Sequence, residues 1–221
     1  MVSTDDHDLA AALAAVLPFL AAAPLTAAIA DLEYALDGAT ADTVSVILKA
    51  RGISADLLTG AEVIRSRLGR INDLIHASAI AVVLPHLLEP GEVLARPSLA
   101  AGNDPTRPFD VQTDRRVAEF KLARWDGHDA MRKRHLVKDL VHLAAAGTRA
   151  ELYVVGARPL RFLKQTKASI AWALNRFPST HQLYGERFGD SGAAVSAFAA
   201  THAAHVRVID LAADFPGVFK P

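Results

Sequence analysis

Cysteine is absent from the 221-residue chain, which excludes structural disulfides, thiolate zinc sites and cysteine nucleophiles together. Also missing are a P-loop, a His-Glu-x-x-His zinc motif and a dinucleotide-binding glycine motif; "VVGARP" (154–159) is too short to count as one. Aromatic residues make up only 6%. What remains is 51% hydrophobic and 22% charged, the balance of a globular chain and not of a disordered one. A cysteine-free chain of this kind is compatible with a reducing compartment, and a cytoplasmic setting is expected. Abundant Ala and Arg suggest a GC-rich bacterial source.

Net charge is absent as well, but its distribution is uneven. Residues 1–106 hold 6 Lys/Arg against 13 Asp/Glu, and residues 107–187 hold 16 against 8. A basic middle third suits a polyanion-binding surface, and it equally suits helices with solvated arginine faces.

Charge is missing altogether from "LAAALAAVLPFLAAAPLTAAIA" (9–30), a span long enough to cross a bilayer. Its alanines insert weakly, Pro18 and Pro24 interrupt it, and the preceding "STDDHD" is acidic where a signal peptide is basic. Two short packed helices broken near the prolines are expected, with no membrane partner.

Residues 1–57 read as a helical cap with stops at Gly38 and Gly52, and 58–221 as an α/β domain. One long helix is expected over 59–88, begun by Thr59 and Glu62 in a capping-box pattern. Its apolar stripe is Ile64, Leu68, Ile71, Leu74 and Ile75, with Arg65, Arg67 and Arg70 off it. Strand texture follows at 92–99, 108–114 and 116–125, with the turn-rich "GNDPTRP" between the first two. A helix capped by Asp129 and stopped by Gly147 comes next, then a buried strand at 150–157. The stretch 158–178 reads as irregular and then helical, 191–203 as helix, and 205–212 as a last strand. The fold class is therefore α/β, a mixed central sheet flanked by helices.

The densest stretch is "FDVQTDRRVAEFKLARW" (109–125). If Asp114-Arg115 forms a two-residue loop, Thr113 faces Arg116, Val111 faces Ala118, Asp110 faces Glu119 and Phe109 faces Phe120. The large apolar residues then sort to one side, and Lys121 sits one step beyond Glu119 on the other. Two carboxylates directly opposed on neighbouring strands repel one another. That placement becomes useful around a divalent cation, since Mg²⁺ takes one or two carboxylates plus water and phosphate. A solvent-exposed strand face is the plain alternative. Asp-Arg is not a favoured two-residue loop, so the register is the point to check.

Asp110 followed nine positions later by "EFK" (119–121) resembles the PD-(D/E)xK nuclease superfamily, as does the order of long helix, hairpin, helix and buried strand. The resemblance covers about residues 60–157 and implies a restriction-endonuclease-like mixed sheet flanked by helices. It implies a Mg²⁺- or Mn²⁺-dependent endonuclease that hydrolyses phosphodiester bonds, of DNA ahead of RNA, through a metal-activated water. Asp110 and Glu119 would be metal ligands, the Phe120 carbonyl a third, and Lys121 the catalytic lysine. An acid from the preceding helix is expected, Asp73 being better placed than Glu62. The sequence departs from the pattern with Phe109 for the nominal proline, and with His135 or Lys138 where a polar helix residue is usual. Because the superfamily includes members without activity, a silent nucleic-acid-binding or protein-interaction module is the alternative, and a helical scaffold with a merely structural hairpin a third. A homodimer is compatible with any of these.

Arg132, Lys133, Arg134 and Lys138 near one helix start are expected to meet phosphates, joined by Arg158, Arg161, Lys164 and Lys167. His76, His135 and His142 form no zinc pattern, though His76 follows Asp73 by three residues and can share its face. "GDSGA" (189–193) is a loop entering a helix, not a serine-protease signature, since no accompanying His element precedes it.

Overall fold

A computed structural model describes residues 4–37, 41–68, 71–95, 97–99, 108–127 and 129–219. Gly38, Arg70 and most of the "GNDPTRP" turn lie outside the described residues. The chain divides into two compact units, Met1–Ile71 and Asn72–Pro221.

The first unit is all-helical: α1 (Thr4–Ala22), α2 (Leu25–Leu36), α3 (Ala41–Ala50) and α4 (Ala55–Leu68). The chain turns after Pro24, whereas Pro18 is carried inside α1. Among the described residues no single helix is long and apolar enough to cross a membrane; only the bent pair Leu9–Ala22 and Ala27–Leu36 is so when joined. Gly52 takes φ +69° between α3 and α4, a left-handed turn that glycine enters without steric cost. Ser54, not Thr59, starts α4: its Oγ accepts the Leu57 N–H at 3.1 Å. Gly60 lets α4 lie against α1, since a Cβ there would meet the Ala12 carbonyl oxygen at 2.9 Å.

The second unit opens with α5 (Ile71–Leu87), so the helix expected over 59–88 is two elements. The expected stripe is also misplaced. Leu74 and Ile75 are exposed, and the buried positions on α5 are Ala79, Ile80 and Val83. After it come β1 (Val111–Gln112), β2 (Arg116–Lys121), α6 (Ala130–Ala145), β3 (Arg149–Val154), α7 (Ala157–Gln165), α8 (Ile170–Leu174), α9 (Pro178–Phe188), α10 (Val195–Ala200), β4 (Val206–Asp210) and α11 (Leu211–Asp214). The stretch expected to begin irregularly is helical from Ala157, and α9 carries no signal that the sequence reading used.

The sheet order is β1-β2-β3-β4, antiparallel between β1 and β2 and parallel thereafter. The strand expected at 92–99 is reduced to a bridge from Leu94 to Thr113, supported by Ala95 N–H to Gln112 O at 2.9 Å and Ser98 N–H to Asp110 O at 2.8 Å.

Helices cover both faces of the sheet, as parallel strands require. Val117, Ala150, Leu152 and Val154 pack with Leu136, Leu140 and Leu143 of α6 on one face. Val111, Ala118, Phe120 and Tyr153 pack with Ile80 and Val83 of α5 and Leu211 on the other. Both faces of β2 are therefore covered, while Gln112 on the edge strand stays exposed, and Phe109 packs with the α6 cluster, away from Phe120. At the N-terminal end of the strands lies a buried ion network. Arg116 donates to Glu92 through Nε at 2.7 Å, to Glu151 through Nη1 at 3.0 Å and to the Leu87 carbonyl at the end of α5 through Nη2 at 2.6 Å.

Candidate functional site

The expected register holds. Val111 pairs with Ala118 and Gln112 with Val117, leaving Asp114-Arg115 as the loop. None of the described non-glycine residues has positive φ, so this is not one of the mirror-image turns that usually close a two-residue hairpin. Thr113 compensates: its Oγ1 accepts the N–H of Arg115 at 3.1 Å and of Arg116 at 3.0 Å. Asp114 ties the loop to Val93, donating its N–H to Val93 O at 3.1 Å while its Oδ1 accepts Val93 N–H at 2.9 Å.

One residue beyond the Val111–Ala118 pair, Asp110 stands across from Glu119. The Asp110 N–H donates to Glu119 Oε2 at 3.3 Å, and Asp110 Oδ2 accepts the Phe120 N–H at 2.8 Å. The aspartate side chain thus takes a ladder position at the end of the hairpin. Nε2 of His76, from α5, lies 3.3 Å from Asp110 Oδ2, and its Nδ1 contacts Leu99 O at 3.1 Å. Lys121 Nζ sits between two acids, 2.8 Å from Glu119 Oε1 and 2.7 Å from Asp139 Oδ2 on α6. The Asp139 contact is an ion pair out of line for a good hydrogen bond, and Oδ2 has no other partner among the described residues.

The electrostatics follow from this crowding. Burial, together with the negative charges of Asp139 and Asp110, pushes the Glu119 carboxyl up to about 7, against the pull of Lys121. Burial works against the Lys121 ammonium, but Asp139 and Glu119 outweigh it and hold the pKa well above the ordinary lysine value. Lys121 is therefore charged at neutral pH. Burial also lowers His76, and its contact with Asp110 more than restores it, for a net rise.

The structure brings Asp110, Glu119, Phe120 and Lys121 together, as the sequence pattern implies. On the neighbouring helices, the side chains with described polar contacts to this group are His76 and Asp139. Asp73 lies one turn before His76 and is half-buried, and Glu62 is on α4 in the other unit. His135 packs on Phe177, and Lys138 lies over the same ring, 5.7 Å from its centre. Asp139 falls on the buried stripe of α6 with Leu136, Leu140 and Leu143, and His76 stands one turn before Ile80 on α5. A polar residue on an apolar helical stripe is the signal that marks both.

The basic residues of α6 are individually engaged. Arg132 Nη1 pairs with Asp129 at 2.7 Å and Asp126 at 3.3 Å. Arg134 donates to Asn175 and lies 4.7 Å from the centre of the Trp172 ring. Lys133 Nζ is 6.0 Å from the Trp125 ring and 5.9 Å from the Phe162 ring. Asp129 makes no side-chain cap on α6; its carboxylate accepts the N–H groups of Asp126 and Gly127 instead.

Asp110, Glu119 and the Phe120 carbonyl are hard oxygen donors of the kind Mg²⁺ takes. Burial raises Glu119 most, and a cation beside it would offset both that and the smaller repulsion from Asp139 and Asp110. Among the described residues no three His, Asp or Glu side chains converge as a metal site, so such an ion would be completed by the carbonyl, water and substrate oxygens. No protein-family model, no curated protein and no solved structure matches the chain.

Proposed function

We propose that the chain is a metal-dependent nuclease of restriction-endonuclease-like fold that hydrolyses phosphodiester bonds of nucleic acid, DNA ahead of RNA. The observation that carries this reading is the placement of Asp110 against Glu119 with Lys121 beside them, part-buried at the end of the sheet opposite the Arg116 network. Opposed, partly desolvated carboxylates are costly in a structural hairpin and suited to a cation. The order of helix, hairpin, helix and parallel strand also fits the superfamily that the motif resembles.

Mg²⁺ or Mn²⁺ held by Asp110, Glu119 and the Phe120 carbonyl would supply Lewis acidity and lower the pKa of the attacking water. The chain's own part is positional and electrostatic. Lys121 keeps its proton, so it acts as a cationic donor to a phosphate oxygen and not as a base. Asp139 holds Lys121 from α6, and His76 braces Asp110 from α5.

The test incubates the full chain with plasmid, oligonucleotide and RNA substrates in Mg²⁺, Mn²⁺ or EDTA. Cation-dependent cutting is expected, reduced about 100-fold or more in Lys121→Ala at unchanged circular dichroism. The second reading, a silent nucleic-acid-binding module, draws on Lys121 being held by two acids at once. Wild-type protein that cuts nothing, yet binds with steep salt dependence, would replace the first reading with the second.

A further inference from the structure

At the loop leaving β2 lies a groove of about 390 Å³ that combines aromatic and charged side chains. Trp125 and Phe162 meet edge to face in it, 5.6 Å between ring centres. Both rings are half-buried against the α6 cluster, which fixes them. Lys133, Arg158 and Arg161 line the same groove. Arg158 is set by a 2.8 Å hydrogen bond to the Trp125 carbonyl, and Arg161 is exposed on α7. Asp126 and Asp129 also line it, and Arg132 pairs with both. The lysine and two arginines thus give the groove a cationic rim over aromatic walls.

Fixed aromatic faces edged by cations recognise one chemistry well: a flat π-face joined to negative charge. A paired base in a duplex does not offer its face. An unpaired one does, and base–aromatic stacking tolerates any sequence. Position supports the same occupant, because Lys133 precedes Asp139 by six residues on α6, about 9 Å along the helix.

We propose that this groove is a stacking subsite for an unpaired nucleobase of single-stranded nucleic acid, with Trp125 under the base and Lys133, Arg158 and Arg161 on the flanking phosphates. The inference rests on the reading of the chain as acting on nucleic acid, and it narrows the substrate to strands with unpaired bases.

Binding is measured in EDTA, so that no cutting intervenes, with the full chain, a labelled oligo-dT of about 15 nucleotides and a duplex of matched length. Trp125→Ala is expected to weaken single-strand binding about 10- to 100-fold and duplex binding by less than about 2-fold, while Trp125→Phe stays near wild type. Arg161→Ala should lower single-strand affinity and reduce the salt slope by about 1. Equal losses on both substrates in folded Trp125→Ala, or no loss, overturn the subsite. Should that variant not fold, an unchanged single-strand affinity in the surface variant Arg161→Ala overturns it alone. Cutting in Mg²⁺ that ignores Trp125 sinks the subsite and leaves the nuclease reading. Trp125-dependent strand binding without any cutting sinks the nuclease reading and leaves the subsite.

Discussion

Glu119 carries the clearest consequence at the scale of single residues. Its carboxyl is raised to about 7, so the folded state holds that proton more tightly than the unfolded chain does. The contribution to stability is therefore full below the usual value near 4.5 and is lost as pH rises to about 7. Glu119→Gln should remove this dependence, making the variant more stable than wild type at pH 8 by about 1–3 kcal/mol and nearly equal at pH 4.5. Urea unfolding at the two pH values checks it, and an advantage that does not grow with pH would refute the assignment. A divalent cation should shrink the advantage, since it favours the ionised wild-type carboxylate. The pair Asp110 and Glu119 was legible in the sequence because a two-residue loop at Asp114-Arg115 sorts the large apolar residues to one side and sets the two acids opposite each other. Asp139 was not, because helical spacing alone names Lys138 and His135 as readily. Only the burial of Leu136, Leu140 and Leu143 shows which side of the helix faces Lys121.

Elements show a different limit. Asp-Arg is poor turn chemistry read locally, and the hairpin holds because Thr113 Oγ1 serves the two N–H groups that a glycine turn would have oriented differently. The same hydroxyl donates to Glu92 Oε1 at 2.6 Å. Thr113→Val, isosteric but unable to accept or donate, should cost about 1–3 kcal/mol by leaving these groups unpaired. If the register is what positions the acids, the variant should also lose cation-dependent activity out of proportion to the fraction unfolded. Thermal melts compared with activity at a temperature where the variant is fully folded decide this. The helix expected over 59–88 failed for a related reason: periodicity persisted through 64–75, but Leu74 and Ile75 are exposed, so the pattern did not track a buried face.

For the second unit as a whole, the two ends of the sheet divide the labour. Arg116, Glu92 and Glu151 at the N-terminal end are 6%, 9% and 0% exposed, and each acid is held below the usual carboxylate range by Arg116 and neighbouring donors. Here every charge has a partner, as buried ions must. Arg116→Met leaves two buried acids without their shared cation and should cost about 3–5 kcal/mol, with the midpoint of denaturant unfolding as the readout. At the other end Glu119 is raised instead of lowered, and Asp139 Oδ2 lacks a well-aligned donor. Arg116, Glu92 and Glu151 were visible in the sequence only as scattered charges, whereas Asp110, Glu119 and Lys121 were readable as a group. The packing of Arg116 between Glu92 and Glu151 makes the one a satisfied network, and three acids around Lys121 leave the other strained.

Parallel pairing of β2 with β3 also orders assembly in time. Arg116 meets Arg149 and Lys121 meets Val154 only after α6 has crossed between them, and β3 meets β4 from Ala150 to Val206, across a still longer loop. The hairpin, by contrast, closes over a few residues, and short loops close in far less time than long ones. Asp110 and Glu119 are thus brought face to face early, by the fastest-forming part of the sheet. Lys121 gains its second acid when α6 docks, before the last strand arrives. A nascent chain would carry the two opposed acids with Lys121 of the same hairpin as their first counter-charge, before α6 and the last strand close over them.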